Sequence, residues 1–64
     1  MTKSEIIKAL RKLSEDMKDV GTAIDYYYGF NQLAEHGAKM VGAGIIAAEF
    51  ADEMEKENAI EAET

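Results

Sequence analysis

Several residue types are scarce in this chain of 64 residues. It has no cysteine, no proline, no tryptophan and one histidine. Without cysteine there can be no disulfide and no thiolate metal site, and one histidine is too few for a His-rich site. No metal or other cofactor is therefore expected. The missing thiols fit a reducing compartment, so a cytoplasmic location is expected. The missing proline leaves long helices uninterrupted. Long apolar runs are lacking too. The longest spans Met40 to Ala48, well short of the ~20 residues that cross a bilayer as a helix. Charge interrupts the opening residues Met1-Thr2-Lys3-Ser4-Glu5, so they do not read as a signal peptide. A soluble chain with no membrane partner is expected.

Hydrophobic residues make up 47% of the chain and charged residues 31%, too apolar a balance for disorder. A domain this short has a small core, typically supplying about 3–5 kcal/mol. With disulfides and metals excluded, oligomerisation is the staple that remains. The net charge of −6 is carried by the second half, and residues 49–64 hold seven acids and one lysine. Nucleic acid would be repelled by that end. The basic residues Lys3, Lys8, Arg11 and Lys12 are interleaved with apolar ones, a poor footprint for DNA. Direct nucleic-acid binding is not expected.

Two heptad patterns dominate the rest. Thr2 and Glu5 have the spacing of a capping box, followed by Ile6, Leu10, Leu13, Met17, Val20, Ile24 and Tyr27. Their alternating steps of four and three predict one helix over about residues 3–28. A rival reading breaks the helix at Gly21, with Thr22 capping a second piece. Gly29 is expected to stop the helix in the left-handed conformation, and Asn31 to cap the next one. The second series is Phe30, Leu33, Gly37, Met40, Gly44, Ala47, Ala51 and Met54, with an end near Lys56 or Asn58. Residues 1–58 then form one helical-hairpin domain and residues 59–64 a frayed acidic tail. The fold class is all-α, an antiparallel hairpin. Pairing residues whose numbers add to about 60 sets bulky side chains of the first helix against small ones of the second. It also sets Lys3 near Glu57, Arg11 near Glu49, and Lys8 near Asp52 or Glu53.

One hairpin leaves the second helix with apolar surface to spare. A further stripe runs through Ala34, Ala38, Val41, Ile45 and Ala48, and another face holds Ile46 and Phe50. A helix apolar nearly all round is a buried one. A homodimeric four-helix bundle is therefore expected, with Gly37, Ala38, Val41, Ile45 and Ala48 at its interface. In length, hairpin and dimer alone, this architecture resembles the Rop family of plasmid replication modulators. No motif is shared, and an RNA-binding role does not carry over to so acidic a chain.

No nucleophile, triad or phosphate loop can be assembled, so an enzyme is not expected. Glu35 and His36 are adjacent and point apart, unlike the Glu-x-x-His pairs of di-iron bundles. The run Tyr26-Tyr27-Tyr28-Gly29-Phe30 is the most distinctive local feature. Tyr27 and Phe30 are expected to plug the turn end of the core, leaving Tyr26 and Tyr28 as partner-binding candidates. Phe50, Glu49, Asp52 and Glu53 are the others. The function expected is protein–protein interaction, as a homodimeric regulator or inhibitor of a host or phage protein. Two alternatives stand beside it: a structural subunit docking through the second helix, or an acidic mimic of nucleic acid that binds a basic partner.

Overall fold

The computed structural model describes the backbone of residues 1–63 and the side chains of residues 1–58. Two helices fill it: α1, Lys3–Tyr28, and α2, Ala34–Glu63. They pack against each other as a hairpin, an elongated body of 53 × 15 × 13 Å.

The start of α1 is fixed locally. Thr2 lies in extended backbone, and its hydroxyl accepts the Glu5 backbone N–H at 3.1 Å. The Glu5 carboxylate in turn accepts the Thr2 backbone N–H at 3.3 Å. Two donors with no partner inside the helix are thus satisfied reciprocally. Thr2→Ala removes half of this box and is expected to cost about 1 kcal/mol, read as a lowered denaturation midpoint at fixed protein concentration.

α1 runs through Gly21 without a break. At its end Gly29 has φ −52° and ψ −22°, right-handed rather than the left-handed cap expected. The turn is made by other means. The Tyr28 carbonyl accepts from Asn31 N, and three successive i to i+3 bonds begin at the Asn31, Gln32 and Leu33 carbonyls. Asn31 caps this lead-in turn as expected: its side chain accepts the Leu33 N–H at 3.0 Å, and the 3₁₀ bonds that begin at its carbonyl run on into α2 at Ala34. α2 then continues to Glu63, past the end expected near Lys56 or Asn58. Residues 59–63 contain no glycine or proline to stop it. The side chains of the expected tail, and Thr64 altogether, lie outside the described residues.

The seam of α2 is the expected one from Gly37 to Ala51. Gly37, Gly44, Ala47 and Ala51 are all buried, Ala51 completely. The seam of α1 is turned relative to expectation. Its buried members are Ile7, Ser14 and Gly21, alternating with half-buried Leu10, Met17 and Ile24. Leu13 and Val20, placed in the core by their hydrophobicity, are 46% and 47% exposed. Small residues therefore meet small ones along the seam, and half-buried bulky ones still pack against glycines beside them, Met17 against Gly44 and Ile24 against Gly37. A methyl group added at Gly21 would lie 2.6 Å from the Gly37 carbonyl oxygen, and one at Gly37 would lie 2.6 Å from the Gly21 carbonyl oxygen. At Gly44 the nearest atom would be the Ser14 carbonyl oxygen, at 2.8 Å. Only residues with little or no side chain allow backbones this close. The helices gain that approach by putting Ser14 and Gly21 inward and moving Leu13 and Val20 to the edge.

Candidate interaction surface

The seam has two edges, and they differ chemically. One is defined by clefts lined jointly by both helices. Arg11, Ser14, Lys18 and Ala48 line one such cleft. Gly21, Thr22, Asp25, Gly37, Ala38 and Val41 line another. On this edge α1 supplies charged residues. Arg11 Nη2 donates to Glu55 at 2.6 Å and to Asp52 at 2.9 Å, and its Nε donates to the same Glu55 oxygen at 3.0 Å. The hydrogen bond to Glu55, and secondly that to Asp52, raises the Arg11 pKa further above its ordinary value. Arg11 was expected opposite Glu49. The structure pairs it one and two turns further along, with acids on the side of α2 that faces it. Lys3 and Glu57 meet as expected, at 3.8 Å. These groups are solvent-accessible, so they set register more than stability.

The other edge follows from helical geometry. Successive residues are rotated by about 100°, so those just before the buried positions lie on the side away from Arg11. On α1 these are Leu13 and Val20, preceding Ser14 and Gly21. On α2 they are Ala43 and Phe50, preceding Gly44 and Ala51. Phe50 is 55% exposed, and Ile46, which shares a surface depression with it, is 67% exposed. This edge is apolar on both helices.

The residues expected at an interface with a second copy divide accordingly. Gly37 is enclosed within the hairpin, where its lack of a side chain admits Gly21. Ala38, Val41 and Ala48 line the clefts of the Arg11 edge. Ile45, which follows buried Gly44 and lies between Val41 and Ala48 on the same stripe, is half exposed on that edge as well. Glu49 and Glu53 flank Ile46 and Phe50, whereas Asp52 belongs to the Arg11 cluster.

The aromatic turn differs from expectation. Tyr27 and Phe30 do not plug the core: Tyr27 is 77% exposed and Phe30 wholly so. Tyr26 is also exposed and stacks edge-on against Tyr27, with ring centroids 5.1 Å apart. Tyr28 is the most covered of the three tyrosines, because it continues the seven-residue spacing of Ser14 and Gly21. The physical reason is the same rotation of α1 that moved Leu13 and Val20 outward.

Among the described residues, no group of three or more histidine, aspartate or glutamate side chains could hold a metal ion, and no helix is long and apolar enough to cross a membrane. No protein-family model, curated protein or solved structure matches the chain.

Proposed function

We propose that the protein is a small interaction module that pairs with a second copy of itself and acts by binding another protein, as a regulator or inhibitor of that partner. One observation carries this reading. The buried apolar side chains of the described hairpin are Ile7, Ala47 and Ala51, whereas Leu13, Val20, Ile45, Ile46, Phe50 and the turn aromatics are exposed. Burial contributes roughly 25 cal/mol per Å² of apolar surface, so an isolated hairpin leaves much of its available stabilisation unused. Association recovers it. The apolar edge serves the second copy, and the aromatic turn at the far end of the rod serves the partner. Tyrosine and phenylalanine offer large contact area at little entropic cost, which is why aromatics dominate binding hot spots.

The test is capture of partners from extracts of the native host by the wild-type protein and by a Tyr26→Ala, Phe30→Ala double variant. Both side chains are exposed, so helicity should be unchanged by circular dichroism. The expected result is loss of the specifically captured protein. Undiminished capture by the double variant would remove the aromatic turn from the account.

A further inference from the structure

We infer that the second copy packs on the Leu13–Val20 edge in antiparallel orientation, α2 against α2, with Ile46 beside the two-fold axis. The inference rests on the proposal that the protein pairs with itself, and it adds the face and the direction. The face is chosen by what α1 contributes. On the Arg11 edge α1 offers Arg11, Lys18 and Asp25, and Arg11 is already engaged with Asp52 and Glu55. On the opposite edge it offers Leu13 and Val20, each nearly half exposed, and α2 offers Phe50 and Ile46 further along the same edge. Only the second edge can supply a bundle with an apolar core from all four helices.

The direction follows from charge. Along this face of α2, Lys39, Ile46 and Glu53 succeed one another at intervals of seven residues, so they lie nearly in line along the helix. The row is basic at one end, apolar in the middle and acidic at the other. Two such rows side by side in parallel place like charges together. Run antiparallel about Ile46, they bring Lys39 of each copy to Glu53 of the other. A two-fold axis along the rod would instead set α2 against α1 of the second copy. The residues of α1 that turn toward this face are Ala9, Leu13, Asp16, Val20 and Ala23, and the one cation at its margin, Lys12, is already paired with Asp16 at 3.3 Å, so none is left to meet Glu53. Charge complementarity therefore selects the α2–α2 arrangement.

Because the chain has no cysteine, introduced thiols report on this geometry directly. Ile46→Cys is expected to oxidise to a disulfide-linked dimer. Lys39→Cys and Glu53→Cys are expected to cross-link when mixed, through a short thiol-reactive linker, but not when each is alone. Glu53→Lys should weaken the dimer roughly tenfold, and adding Lys39→Glu in the same chain should restore it. Linkage of Lys39→Cys to itself would mean a parallel pair. A wild-type dimer in which Ile46→Cys does not cross-link would place the interface elsewhere. Either result overturns the orientation and leaves self-association standing. A wild type of monomeric mass at every concentration overturns both.

Discussion

Gly37→Ala is expected to destabilise the protein by about 2 kcal/mol, although alanine is the better helix former. Overpacking a tight contact costs up to ~3 kcal/mol, and the gain in helix propensity returns ~1 kcal/mol. The added methyl would stand 2.6 Å from the Gly21 carbonyl oxygen and 3.0 Å from Ile24 Cγ2. The first of these is backbone and cannot rotate away, so the helices must separate. Separation weakens every other contact of the same seam, including Ser14 against Gly44. Gly42 provides the internal control on the same helix. A methyl added there meets nothing within 4 Å, so Gly42→Ala should stabilise by about 1 kcal/mol. Urea denaturation of both variants at one protein concentration reads the two signs. If both substitutions stabilised the protein, the close contact of Gly21 and Gly37 would be wrong.

Ser14→Ala is expected to stabilise by about 1–2 kcal/mol. Ser14 is 2% exposed, and its hydroxyl finds no hydrogen-bond partner among the described residues. A buried hydroxyl without a partner carries an uncompensated desolvation cost of that order. Alanine keeps the Cβ that fills the contact with Gly44 and removes only the oxygen. It also has the higher helix propensity. The measurement is again the urea midpoint, with the slope unchanged to show that the folded state is the same. A loss of stability would mean that the hydroxyl is engaged, and that the seam holds a polar contact rather than a bare small-residue packing. The serine has a steric reason to be there: a larger side chain would meet the backbone of α2 at Gly44.

Much of this architecture is legible in the sequence. The capping box at Thr2 and Glu5, the absence of proline and the heptad steps give α1 its bounds. The small residues Gly37, Gly44, Ala47 and Ala51 give the inner seam of α2. The Lys3–Glu57 pairing follows from the antiparallel register. The rotation of α1 is not legible from hydrophobicity, because two seams with the same steps compete for one face. They share Leu10, Met17 and Ile24, and differ in whether Leu13 and Val20 or Ser14 and Gly21 turn inward. Ranking by apolar character chooses the first pair. Close backbone approach chooses the second, and dispersion across a tight contact outweighs the partial exposure of two aliphatic side chains. A signal for this does exist in the chain. Ser14 and Gly21 are spaced by seven residues, as are Gly37 and Gly44. Matching spacings of small residues on two helices are what a close antiparallel contact requires.

The same rotation explains why the candidate surface lies where it does. An inward Leu13 and Val20 would have consumed the apolar edge of α1 and left α2 alone with surplus surface, in the stripe through Val41 and Ile45. Turned outward, they join Ile46 and Phe50 in one apolar edge. Tyr27, carried by the same turn of the helix, reaches solvent instead of closing the core, as does Phe30 in the connecting turn just beyond it. The turn residues are harder to read for a local reason. Gly29 can adopt a left-handed cap but need not, and here the i to i+3 bonds from Asn31 to Leu33 carry the chain around without one.

A hairpin held by so narrow a seam of small residues is, on this proposal, completed by a second copy. Thermal unfolding followed by circular dichroism over a wide range of protein concentration tests this most directly. Folding coupled to association makes the midpoint rise with concentration, and a single cooperative transition with that dependence is the predicted result. A cooperative midpoint independent of concentration would contradict the claim, because it would show that the two helices are stable on their own.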